Sequence, residues 1–191
     1  AGSFGTGAVR QFREGPMTIH HTDPFADPPA ARDAVRSFRG RLAAGVTLWT
    51  AVGERRPAGL TVSSVLVANG TPPRLMALLD PLSELAEALL GSGRAAVTVL
   101  AHDQQRLARI FAGEEPAPGG PFRQAGFTDT EWGPIPAEAR VWAGVRLESA
   151  AEAGWSQLVT CVFEHARAEG DAEPLVHYRG RYPRLGVQGT G

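Results

Sequence analysis

Three hydroxyls fall within four residues, Thr61, Ser63 and Ser64, inside the stretch 57–73, and Gly59 stands just ahead of them. A buried strand end rarely carries so many hydroxyls unless something polar takes their hydrogen bonds. A glycine there lets a second backbone or a flat ligand approach closely. The strip therefore reads as a docking edge for a phosphate or a ring, or else as a solvated strand-to-turn junction, and taken alone it favours the junction. Ser83 is placed to cap a helix over 84–90; a capped helix N-terminus is also an anion site, although capping accounts for the serine by itself. His102 and His177 fall at expected strand ends, where an imidazole can act or can be a satisfied structural group. Cys161 and His165 lie four apart on an expected strand, which puts them on one face and roughly 13 Å apart. That is too far for a nucleophile–base pair, so Cys161 reads as a buried structural thiol. The adjacent His20 and His21 have no nearby ligand, and no metal site is expected.

Several chemistries are excluded by absence. The chain has no His-Glu-x-x-His, no Cys-x-x-Cys and no Gly-x-Ser-x-Gly. All 19 basic residues are arginine, which removes Schiff-base lysines, pyridoxal phosphate anchoring and the phosphate-loop lysine together. A net charge of −1 gives no electrostatic reason to expect nucleic acid or an anionic membrane as partner. No apolar run approaches the roughly 20 residues of a spanning helix, and no signal peptide is visible at the N-terminus. One cysteine suits a reducing cytoplasm.

The elements that must position these residues follow from periodicity. Residues 1–28 show no sustained period and are expected to be an irregular extension, and 186–191 a tail; the domain proper is expected over 29–185. A helix is expected over 29–41 and a strand over 45–51. After a turn at 53–56 come strands over 58–62 and 74–80, then the helix capped by Ser83. A strand over 95–101 leads into a helix over 104–111. Most of 114–132, rich in Pro, Gly and charge, is expected as surface loop. Strands follow over 140–148 and 158–163, with a short one at 175–178. Six or seven strands in hairpins with three short helices favour a mainly β antiparallel barrel over a parallel sheet.

The segments A-A-G-V-T-L-W-T-A, G-L-T-V-S-S, the pair Pro72-Pro73, L-A-H-D-Q-Q-R-L-A-R-I-F-A-G and Y-R-G-R-Y occur in this order. Together, over roughly 32–185, they resemble the flavin reductase family of FMN-binding split-barrel proteins. The resemblance implies a Greek-key split barrel that forms a homodimer, with FMN or FAD in a groove near the subunit interface. It also implies hydride transfer from NADH or NADPH to the flavin, and a partner monooxygenase that takes the reduced flavin. By position, Gly59, Thr61, Ser63 and Ser64 would line the isoalloxazine and phosphate path, and Ser83 would meet the phosphate. Residues 101–105, from Ala101 to Gln105, would lie near the ribityl chain or ring. Phe111 and the segment 179–182 would close the site. No side chain is assigned a catalytic step. The nicotinamide region would hold Trp155, Ser156, His177, Tyr178 and Arg179.

The chain departs from that pattern twice. Val67-Ala68-Asn69 stands where relatives tend to have Ser-Val-Ser. Gly154-Trp155-Ser156 stands where many carry Gly-Asp-His, whose histidine is associated with nicotinamide; His177 is the candidate to compensate. A flavin-binding carrier with weak or no nicotinamide turnover is therefore the alternative, and a partner-binding module without cofactor a third reading.

Overall fold

The computed structural model describes residues 29–186, with side chains from residue 34 onward. The chain divides into two units, Ala1–Ser37 and Phe38–Gly191. His20 and His21 lie outside the described residues. The helices are α1 (Pro29–Arg41), α2 (Glu84–Ser92) and α3 (Gln105–Phe111). The strands are β1 (Ala44–Gly45), β2 (Thr47–Ala51), β3 (Ala58–Val62), β4 (Val65–Ala68), β5 (Arg74–Leu79), β6 (Arg94–Val99), β7 (Phe127–Thr128), β8 (Ile135–Pro136), β9 (Val141–Ala153), β10 (Ser156–Ala168) and β11 (Val176–His177).

Seven strands form one antiparallel sheet in the order β3-β2-β6-β9-β10-β5-β4, curled into a half-barrel. β1 pairs with β11, and β7 with β8, as small separate ribbons. The main core lies on the concave side, where Trp49, Leu79, Leu85, Leu89, Val145 and Val159 are fully buried together. Trp49 buries its indole at no polar cost, because its Nε1 donates to Thr47 Oγ1 at 3.1 Å and that hydroxyl donates to the Val62 carbonyl at 2.7 Å. α2 ends at Gly93, whose φ of 71° lets its N–H turn back to the Leu89 carbonyl. Among the described residues no helix is long and apolar enough to cross a membrane.

The structure departs from the periodic reading in specific places. The expected strand over 45–51 splits at Val46, whose N–H donates to Leu175 O and whose carbonyl accepts from Leu100 N, so that one residue ties three segments. β4 carries only four residues and no alternation, yet it forms the sheet edge beside β5. β9 and β10 are 13 residues each, longer than expected, because their outer ends are polar and give no apolar signal. A bulge between Phe163 and His165 breaks the alternation of β10. Cys161 and His165 therefore do not share surroundings. Cys161 sits in the main core, while His165 packs against Trp132 and Trp142 at ring centroid distances of 5.5 and 4.5 Å. Burial pushes the Cys161 thiol up to about 12, which agrees with a structural role.

Candidate functional site

Three of the candidate groups meet on α3. Thr61 Oγ1 donates to the Ala108 carbonyl at 2.7 Å, pinning β3 to the middle of the helix. At its end, Phe111 lies over Gly59, where a Cβ would come within 2.6 Å of the ring. The flat group against Gly59 is thus the chain's own phenyl ring, 4% exposed and packed edge-on to Phe122 and Phe127. The loop over 114–132 supplies those two aromatics, so it covers core as well as surface. At the start of α3, Gln105 Nε2 stands 2.9 Å from His102 Nε2, and the Ala101 N–H donates to Gln104 Oε1. On the outer side, the Arg109 guanidinium lies 5.7 Å from the Tyr182 ring centre, and Tyr182 packs edge-on to His177. Tyr178 and Arg181 exchange backbone hydrogen bonds in a tight turn. Arg179 at that turn has φ 51°, the left-handed region that disfavours side chains, and its N–H is held by the Gly40 carbonyl.

The hydroxyls differ in what they have left to offer. Ser64 Oγ donates to the Leu78 carbonyl, and the Leu78 N–H returns a bond to Ser64 O, so this serine ties the link between β3 and β4 to β5. The Ser63 hydroxyl is exposed and has no hydrogen-bond partner among the described residues. Ser83 donates to the Asp80 carbonyl and accepts from Ala86 N, which is N-cap duty. Glu84 and Glu87 occupy the first turn of that helix, and Glu84 is paired with Arg56. An incoming phosphate there meets two carboxylates before it meets the helix dipole. In the strip itself, Ser63 is the free donor, next to the open edge of β4. Thr61 and Ser64 fix the backbone on either side of it.

Trp155 and Ser156 stand elsewhere, at the β9–β10 hairpin. Gly154 makes the turn at φ 61°, and Trp155 follows it 80% exposed. Ser156 pairs with Ala153 across the turn.

Two features were not foreseen from the sequence. One is a stack of Trp132, Trp142 and His165 over Gly144, beside Glu164. Glu164 accepts from Trp132 Nε1 at 2.9 Å and pairs with Arg94 and Arg146. The Trp132 bond and the two guanidinium groups hold its carboxyl below the usual range. The other is an apolar patch on the outward side of β4, β5 and β10. Leu66 faces Met76 across the pair, and Leu78 faces Leu158. Leu66 is 67% exposed and Leu78 42%. A signal for this patch was present: R-L-M-A-L-L is apolar on both faces, as in strands covered on both sides.

A family model described as flavin reductase like domain matches residues 39–186. An FMN reductase (NADH), RutF, from Ancylobacter novellus is 27% identical over 170 residues, covering 89% of this chain and 94% of that protein. The reductase component of a 4-nitrophenol 4-monooxygenase/4-nitrocatechol 2-monooxygenase from Rhodococcus opacus is 30% identical over 155 residues, covering 81% of each. Among solved structures, the NADH:FAD oxidoreductase SgcE6 of Streptomyces globisporus, in complex with NAD and FAD fragments, superposes with a TM-score of 0.76. Its identity is 23%, over 85% of this chain and 97% of that one, and the match shows a shared fold.

Proposed function

Because the chain belongs to the flavin reductase like family, we propose that it is an NAD(P)H-dependent flavin reductase that binds FMN or FAD and works as a homodimer. The observation that carries this reading is the near-complete coverage of relatives named as FMN reductases (NADH), on a fold whose hydroxyl strip keeps one free donor. Flavin held there would supply the redox chemistry, as the acceptor of hydride from a dihydronicotinamide. The chain's own residues bind and orient. Ser63 and the β4 edge hold the flavin, Thr61 and Ser64 lock that edge through Ala108 and Leu78, and Gly59 with Phe111 gives it a rigid back wall. His177, Tyr178 and Arg179 form the rim. The functional domain is 29–185, with 1–28 and 186–191 as flanking segments, and its place is the cytoplasm, where nicotinamide and a single unpaired thiol both persist.

The second subunit is what covers Leu66, Met76, Leu78 and Leu158. An obligate interface there buries more than about 2,000 Å² in total. The name of the Rhodococcus opacus relative supports an oxygenase as consumer of the reduced flavin. A carrier that binds flavin without nicotinamide turnover is the second reading, favoured by the exposed Trp155 and the absence of an imidazole at that hairpin tip. Steady-state assay separates the two: loss of NADH absorbance that requires both protein and FMN supports the reductase. Tight FMN binding with no such loss supports the carrier.

A further inference from the structure

Asn69 is the only asparagine of the chain, and Gly70 follows it. The pair opens the loop over 69–73 that joins β4 to β5, and every residue of that loop is exposed. Asn-Gly most often marks a two-residue hairpin turn with positive φ at both positions. Here neither residue has positive φ, and a Cβ on Gly70 would meet nothing nearer than the Pro72 carbonyl oxygen at 3.4 Å. The backbone therefore does not demand the glycine. Among the described residues neither the Asn69 carboxamide nor the Gly70 N–H makes a hydrogen bond. The loop is tied down only further on, where Arg74 donates to the Pro72 carbonyl at 2.9 Å and the Phe163 N–H to the Pro73 carbonyl at 3.4 Å. An unbonded carboxamide thus stands next to an unbonded backbone nitrogen that carries no side chain to shield it.

We propose that Asn69 modifies itself, converting to isoaspartate through the Gly70 nitrogen and so releasing the outer end of β4. The Gly70 nitrogen gives up its proton and bonds to Asn69 Cγ, the bond from Cγ to the side-chain nitrogen breaks, and ammonia leaves. Water then opens the five-membered imide. Opening at the main-chain carbonyl leaves a free carboxylate and routes the chain through Cβ and Cγ, which inserts one methylene. Hairpin register depends on the length of the connection. β4 has four residues and pairs on one side only, with β5. Its first end is fixed by the two bonds between Ser64 and Leu78, whereas its last pair, Ala68 with Arg74, adjoins the lengthened loop. The reductase reading sets both the flavin and the second subunit against this strand, so the conversion would limit the working life of that edge.

The test incubates three samples in warm, mildly alkaline buffer: the full chain, its Gly70→Ala variant and the free peptide V-L-V-A-N-G-T-P-P. Wild type should gain about one mass unit at Asn69 and release one ammonia per chain, at a rate comparable with the peptide. The chain has no Asp-Gly pair, so an isoaspartyl signal has one expected source. Gly70→Ala should keep its mass. The modified fraction carries an added negative charge and separates on anion exchange. Its amide hydrogens over 65–68 should exchange faster than in fresh chain, with those over 143–147 unchanged. Wild type that keeps its mass while the peptide converts overturns the proposal, as does a modified fraction whose 65–68 amides exchange as before. Should Gly70→Ala fail to fold, wild type against the peptide decides. No flavin or nicotinamide is present, so neither result depends on the reductase reading.

Discussion

The two halves of β10 meet different surroundings. Toward its end, Glu164 and His165 are covered by their own chain: Trp132 and Trp142 stack on the imidazole, and Arg94, Arg146 and the Trp132 indole N–H satisfy the carboxylate. Toward its start, Leu158 joins Leu78, Met76 and Leu66 in an apolar patch that the described residues leave uncovered. The segment between α3 and β9 closes one half. Among the described residues no such segment covers the other, which borders the free edge of β4 and the Ser63 hydroxyl. The proposed second subunit would cover that apolar region beside the Ser63 hydroxyl.

The largest expected effect comes from charging the bare half. Leu78→Arg should cost about 3–5 kcal/mol at an interface that buries the guanidinium without a partner. Light scattering should then report a single-chain mass where wild type gives twice that, with intact secondary structure by circular dichroism. A wild-type monomer at low micromolar concentration would contradict the second-subunit reading. On the covered half, Gly144→Ala drives a Cβ into the Trp132 indole, and overpacking of this kind costs about 1–3 kcal/mol. The melting temperature should fall while the dimer mass stays. A change in mass would show that the two halves are coupled.

Ser83→Ala removes a helix cap worth about 1 kcal/mol. If capping is its whole role, FMN affinity measured by fluorescence is unchanged. A tenfold loss of affinity would return Ser83 to the phosphate. The smallest effect at neutral pH belongs to Cys161, on the concave side beneath β10. Its thiol titrates higher folded than unfolded, so its contribution to stability is complete below about 9 and declines as pH rises toward about 12. Cys161→Ala should remove that alkaline decline from the unfolding profile, and wild type should resist thiol reagents at pH 7.

Much of the sheet was legible because its strands alternate or run apolar between turn residues, and β3 and β5 came out close to where the pattern puts them. β4 was not, since four residues give no period. The bulge before His165 was not either, because an inserted residue changes which face a side chain takes without changing composition. The sequence places hydroxyls but not the carbonyls that take them: Thr61 meets Ala108 and Ser64 meets Leu78 only once β3, α3 and β5 are folded together. Gly59 announced a close approach but not that Phe111 makes it.

The central claim is that this chain passes hydride from a nicotinamide to a flavin held beside Ser63. Anaerobic mixing of FMN-loaded protein with NADH, and separately with NADPH, tests it directly by following flavin absorbance. Bleaching of the flavin with one oxidised nicotinamide formed per flavin reduced is the predicted result. Flavin that stays bound and is reduced by dithionite, yet remains coloured with both nicotinamides, would contradict it.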